Sequence, residues 1–143
     1  MPLQVQVISQ EKPLLNDTAD IVLIPGADGE LGILSGHTPL VTKLQAGVVT
    51  IRKGNQDIQI AISGGFATVE PNNTLTILAD TATKAEEISL KQAEEAKKRA
   101  EEKMQQADTL SEREFKIAEG QLRKALIELQ VARKRKTTTS YTP

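Results

Sequence analysis

Apolar and polar positions alternate from the start of the chain. Leu3, Val5 and Val7 fall on one side of an extended segment and Gln4 and Gln6 on the other, which predicts a half-buried strand. Short runs, several rich in Val and Ile, predict further strands over residues 20–24, 48–53, 57–62, 66–70 and 74–79. Turn formers stand between them: Gly26, Gly29, Gly32 and Gly36, then Gly54-Asn55, Gly64-Gly65 and Pro71-Asn72-Asn73. Gly and Asn tolerate positive φ and Pro presets a turn, so each cluster reads as a reversal of the chain. Many short strands with frequent turns point to an antiparallel sandwich or barrel. The Gly64-Gly65-Phe66 segment is expected to form a bulge or tight turn with Phe66 as a core aromatic.

After about residue 84 the period changes. Ser89-Leu90-Lys91-Gln92 and Ser111-Glu112-Arg113-Glu114 both fit the capping-box pattern, in which a hydroxyl and a side-chain amide or carboxylate satisfy orphan backbone donors. They predict helices over residues 89–107 and 111–136. Ala93, Ala96, Ala100, Met104 and Ala107 form one stripe, and Phe115, Ala118, Leu122, Ala125, Leu129 and Ala132 the other. Steps of three and four place each stripe on one helix face. A short link between two such helices implies an antiparallel αα-hairpin. The expected fold is therefore α+β: an N-terminal antiparallel β-sandwich over residues 1–83, then a two-helix hairpin over 84–136. The Thr- and Ser-containing segment 137–143 reads as a disordered tail.

The alanines matter energetically. They let helices approach closely but remove little apolar area from water, each methyl being worth under about 1 kcal/mol. Such a hairpin is marginal by itself, and about 48 residues of helix laid end to end would reach roughly 70 Å. A weakly closed hairpin with a long open form suits switching. A static coiled hairpin used as a spacer fits the same pattern.

Composition sharpens the division. Eight of the nine glycines and five of the six prolines precede residue 84. Residues 1–83 hold 4 basic and 8 acidic groups, net −4, whereas residues 84–136 hold 14 basic and 11 acidic groups, net +3. With no cysteine the chain has no disulfide, thiolate zinc site or cysteine nucleophile, and with one histidine it has no His-rich metal site. Three aromatics, Phe66, Phe115 and Tyr141, are too few for base recognition by stacking. No run approaches the roughly 20 apolar residues of a bilayer helix. Met1 and the lack of a transit-like leader point to a bacterial or organelle-encoded chain.

The segment Gly29-Glu30-Leu31-Gly32-Ile33-Leu34-Ser35-Gly36-His37-Thr38-Pro39-Leu40 closely resembles the signature loop of the epsilon subunits of F-type rotary ATP synthases. Ile62-Ser63-Gly64-Gly65-Phe66 and Ile77-Leu78-Ala79-Asp80-Thr81-Ala82 resemble two further family segments, in the family's order, and the resemblance runs from Leu3 to about Lys136. It implies a non-catalytic central-stalk subunit that joins the gamma subunit and the c-subunit rotor ring. Such a subunit couples proton-driven rotation to ATP synthesis and restrains ATP hydrolysis through its C-terminal helices. It also implies peripheral attachment on the cytoplasmic side of a bacterial inner membrane, or the stromal side of a thylakoid.

On this resemblance, Gly29, Glu30, Leu31, His37, Pro39 and Leu40 form the rotor-ring and gamma interface. Read from the residues alone, Glu30 is a solvated loop carboxylate and His37 a structural histidine. Arg123, Lys124, Arg133, Lys134, Arg135 and Lys136 crowd the end of the second helix against one acid, Glu128. A solvated face that complements the negative helix C-terminus accounts for them. The resemblance implies instead that they meet an acidic segment of the catalytic beta subunit, with alpha as neighbour. Nucleic-acid binding is not expected, since net charge is slightly negative and no binding motif occurs.

Some bacterial relatives bind ATP through an Ile-Asp-x-x-Arg-Ala motif. The corresponding segment here is Ile88-Ser89-Leu90-Lys91-Gln92-Ala93, and Thr83 stands where those relatives carry a glutamate. Losing the arginine removes a bidentate phosphate donor, so no cofactor is expected. No P-loop occurs, so the chain itself is not expected to hydrolyse ATP. Two alternatives stay open at this point: a static helical-hairpin adaptor, and an acid/base enzyme built on His37.

Overall fold

The structure, a computed structural model, describes the backbone of residues 2–140; the side chains of residues 107 and 134–140, and all of residues 1 and 141–143, lie outside it. The chain divides into two compact units between Lys84 and Ala85.

The first unit holds ten strands: β1 (Leu3–Ser9), β2 (Pro13–Ala19), β3 (Ile21–Gly26), β4 (Gly29–Leu34), β5 (Leu40–Leu44), β6 (Gly47–Lys53), β7 (Gln56–Ile62), β8 (Gly65–Glu70), β9 (Thr74–Ala79) and β10 (Ala82–Lys84). They hydrogen-bond in the order β10-β7-β6-β3-β5-β8-β9-β1-β2, with β4 also on β3. The narrowest link is β3 to β5, where the register holds a single pair, Gly26 with Leu44. There the sheet folds over into a sandwich. All pairings are antiparallel except β1 with β9, which run parallel from Gln4 opposite Thr74 to Ser9 opposite Ala79.

Alternation drives the packing. Leu3, Val5 and Val7 of β1 are fully buried, as are Leu75 and Ile77 of β9, and they meet Val22, Ile24, Ile33, Val49, Ile51, Ile60 and Ile62 in one core. Every member of that core lies before residue 80, so this unit carries its own hydrophobic stabilisation.

Four strands lie where the alternation signal is weak. β2 contains Asn16 and Asp17 at an edge of the sheet, and β10 is only three residues long. β5 buries only Leu44 fully. β4 is the larger difference, because the segment read as an exposed loop is a strand in a hairpin with β3. Its glycines mask the pattern: only Ile33 is buried, while main-chain pairing from Ile21–Leu34 to Gly26–Gly29 draws the whole segment into the sheet. Gly29, at φ 135°, supplies the turn conformation that a side chain would resist.

The second unit begins with a 3-10 turn (Ala85–Glu87), followed by α1 (Leu90–Met104) and α2 (Glu112–Ser140). Ser89 caps α1, its Oγ accepting the Gln92 backbone N–H at 3.3 Å. Ser111 does the same for α2 from Glu114 at 3.1 Å, and its hydroxyl also donates to Glu114 Oε1. Helix α1 stops at Met104 rather than 107. The Gln106 carbonyl accepts both the backbone N–H and the hydroxyl of Thr109, each at 2.9 Å, which turns the chain into a second 3-10 turn (Ala107–Thr109). The backbone of α2 is helical through Ser140, past the expected end at 136. Residues 141–143 of the anticipated tail lie outside the described residues.

Ala93 and Ala100 of α1 and Ala118, Ala125, Leu129 and Ala132 of α2 are buried, with Ala96, Met104, Phe115 and Leu122 half-buried. This is the small-residue seam of an antiparallel hairpin. Val131 is also buried, although it lies off that stripe.

Candidate functional site

The β3–β4 hairpin projects a turn, residues 26–29, that carries Asp28 beside Gly29 and Glu30. Glu30 lies exposed on β4 opposite Pro25, so it is a strand carboxylate at a hairpin tip and not a loop residue. Asp28 and Glu30 form no ion pair among the described residues. Leu31 is partly exposed and Leu34 more so.

The segment 35–39 then crosses to β5. His37 donates its backbone N–H to Leu34 O at 3.1 Å, and its ring Nδ1 lies 2.7 Å from the carbonyl of Thr38. The imidazole thus faces a neighbouring backbone carbonyl and not a hydroxyl or carboxylate. That is no nucleophile–base pair. Pro39 is exposed and Leu40 opens β5 opposite Val69. The six expected interface residues therefore lie on one continuous strand–loop–strand path, from the hairpin tip to the start of β5.

That path leads into a surface which sequence reasoning missed. Phe66 is not in the core: it is 53% exposed. Its neighbours across the sheet are Lys43 on β5 and Leu78 on β9, and Leu78, 52% exposed, is opposite Ile8 on β1. Val41, two residues before Lys43 on the same face, is 71% exposed. Phe66, Leu78 and Val41 make an apolar outer face on a sheet whose inner face is already filled. The glycines explain the register. A Cβ on Gly65 (φ 142°) would run into the Leu78 carbonyl oxygen and lie 2.9 Å from Ala79 Cα. Only glycine lets β8 and β9 approach this closely at residue 65, and the alternation of β8, with Ala67 and Val69 inward, sets Phe66 outward beside Leu78.

On α2, Arg123 pairs with Glu119 at 3.7 Å and Lys124 with Glu128 at 3.9 Å, both one turn apart. Both are long contacts of small energy that leave the two cations about half in solvent, although the Glu128 carboxylate is itself largely covered. Arg133 is exposed as well. The side chains of Lys134, Arg135 and Lys136 lie outside the described residues.

The family whose description reads ATP synthase, Delta/Epsilon chain, beta-sandwich domain matches residues 2–85. Its companion, the long alpha-helix domain of the same chain, matches residues 86–133. The chain belongs to the ATP synthase delta/epsilon family.

Relatives and structures agree with that placement. The ATP synthase epsilon chain of Cyanothece sp. is 41% identical over 133 residues, 92% of this chain and 96% of the relative. That of Herpetosiphon aurantiacus is 42% identical over 136 residues, covering 95% and 98% respectively. A chain of the Euglena gracilis mitochondrial ATP synthase, from an OSCP/F1/c-ring structure, superposes with a TM-score of 0.68 at 27% identity, covering 85% of this chain and 76% of that one. As a delta/epsilon chain the protein is an accessory, non-catalytic part of the synthase. No helix among its described residues is long and apolar enough to cross a membrane.

Ser89, Gln92 and Thr83, the three residues weighed for nucleotide contact, are spread over the cap and first turn of α1 and over β10. Ser89 spends its hydroxyl oxygen as the acceptor that caps α1, and Gln92 is exposed on the first turn. Thr83 lies half-buried on β10, opposite Ala61 of β7.

Proposed function

We propose that this chain is the central-stalk epsilon subunit, docking through its sandwich and braking through its helices. The exposed apolar row of Val41, Phe66 and Leu78 carries the reading. A free-standing sheet has no use for an aromatic and two aliphatics on its solvent side, whereas a subunit fixed to a shaft does. In this reading the row and the adjoining His37–Leu40 segment meet the gamma subunit. The acidic tip at Asp28 and Glu30 faces the polar loops of the c-subunit ring.

The hairpin is the moving part. Its seam is lined mostly by alanine, so separating the helices exposes little apolar area for its length. When open, Arg123, Lys124 and the basic segment 133–136 reach an acidic segment of the catalytic beta subunit, with alpha alongside, and resist rotation in the hydrolysis direction. ATP is not held tightly by this chain, because no arginine stands at residue 92 and the Ser89 hydroxyl is engaged in its cap. The complex places it on the cytoplasmic face of a bacterial membrane or the stromal face of a thylakoid.

The test uses a synthase core stripped of this subunit. Adding the full chain lowers ATPase activity. A chain ending at Lys84 keeps the self-contained sandwich, binds the core and leaves ATPase activity high. Equal inhibition by both forms refutes the hairpin brake. A disulfide engineered between α1 and α2 abolishes inhibition if the hairpin must open and has no effect if the hairpin is a fixed adaptor.

A further inference from the structure

Asn73 sits in the β8–β9 turn with φ 62°, the one non-glycine residue with positive φ among those described. Asn tolerates that conformation, yet the turn alone needs only glycine there. The side chain does more than turn the chain. Its Oδ1 accepts the backbone N–H of Gly36 at 2.9 Å. Its Nδ2 donates to Ser35 Oγ at 2.9 Å and to the carbonyl of Pro2 at 3.0 Å. The Asn73 backbone carbonyl accepts the N–H of Gln4 at 3.1 Å. One amide thus ties the start of β1, the β8–β9 turn and the first residues of the β4–β5 connection.

The position of that connection gives the tie its meaning. Residues 35–39 lie between two strands and belong to no ladder. The Leu34–His37 and His37–Thr38 bonds are local and close the turn upon itself. Asn73 contacts the segment from 37 and 38 residues away and anchors it to the sandwich. Gly36, at φ 83°, adds no side chain to hold it.

We propose that Asn73 is a positioning residue: it holds residues 35–39 in the shape that presents His37, Pro39 and Leu40 to the shaft. This rests on the reading of that segment as a docking surface, and it adds a residue that itself touches no partner.

The experiment compares Asn73→Gly and Asn73→Asp in the full chain. Gly keeps the left-handed turn and removes the amide; Asp keeps the turn and the acceptor for Gly36 but loses both donated bonds. Amide hydrogen exchange is followed over residues 34–40, with the β6–β7 hairpin around Gly54 as internal reference. For Asn73→Gly, exchange at Gly36 and His37 rises roughly 5- to 150-fold, as expected for the loss of the two side-chain hydrogen bonds that reach Gly36 and Ser35, while the reference hairpin is unchanged. Asn73→Asp gives a smaller rise at Gly36. Unchanged exchange over 34–40 in Asn73→Gly overturns the proposal.

Affinity for the epsilon-free synthase core is measured alongside, with His37→Ala and Leu40→Ala as comparisons. A drop in affinity for Asn73→Gly together with the two comparisons supports the positioning role. Loss of affinity in the comparisons but not in Asn73→Gly overturns it. If neither comparison loses affinity, the docking reading of the segment fails, and the positioning role falls with it whatever the exchange shows.

Discussion

Replacing Phe66 by Ser separates a docking residue from a core residue. An aromatic side chain presents roughly 150–250 Å², and Phe66 leaves about half of that in water, on the order of 100 Å². At about 25 cal/mol per Å² its burial in an interface is worth up to about 2.5 kcal/mol. Ordering and imperfect fit reduce this, so a loss of about 1–2.5 kcal/mol, roughly 5- to 70-fold in dissociation constant, is expected. Folding stability moves little, because the ring already lies on an outer face between Lys43 and Leu78. A core phenylalanine behaves in the opposite way, with truncation costing about 3–5 kcal/mol of folding free energy. The assay pairs urea unfolding of the isolated chain with a binding titration against the epsilon-free core. A stability loss above about 3 kcal/mol with unchanged affinity refutes the outward placement of the ring and, with it, the docking face.

Two glycines should respond in opposite ways. Gly65→Ala forces a Cβ into the Leu78 carbonyl at φ 142° and should cost more than about 2 kcal/mol in urea unfolding of the sandwich. Gly120→Ala, inside α2 with nothing within 4 Å of the added methyl, should stabilise the helix by about 0.5–1 kcal/mol, seen as slower amide exchange around it. Ser89→Ala removes the α1 cap and should cost about 1 kcal/mol, read as faster exchange at Gln92. The Asp17 carboxyl is held below its ordinary value by the Thr18 backbone N–H and then by Lys53. Its contribution is therefore present above the unfolded pKa, near 3.9, and is lost as pH falls through the lower folded value. Asp17→Asn should flatten the acid limb of the stability profile below about pH 4, and an unchanged limb would contradict that linkage.

Much of the sandwich was legible because one periodicity governs it. Leu3, Val5 and Val7 alternate with polar residues and fill the core, as do Leu75 and Ile77. The same rule, applied strictly, also locates Phe66. In β8, Ala67 and Val69 point inward, so Phe66 shares the outer side with Thr68 and Glu70. Assigning it to the core followed the general preference of aromatics for burial and set aside its own neighbours. Leu78 repeats the lesson beside Thr74 and Thr76. β4 was illegible for a different reason: a strand with four exposed positions in a row and two glycines is specified by its partner and not by its own side chains. The helices were read from caps and small-residue spacing, both local signals. The end of α1 was missed because it depends on Thr109 reaching back to Gln106. Asn73 gave a turn signal only, since its far contacts are invisible until the chain is folded.

The parallel pairing of β1 with β9 has a consequence for assembly in time. The opening strand takes its place inside the sheet, flanked by β2 on one side and by residues 74–79 on the other. A ribosome delivers Leu3 long before Leu75, so the nascent head can zip β1 to β2 early yet must wait for nearly the whole unit before that layer is sealed. The helices that follow need only neighbours close in the chain and can form at once. The helices, made after the sandwich, are thus quicker to take shape than it is, while β1 is among the last of the strands to be locked.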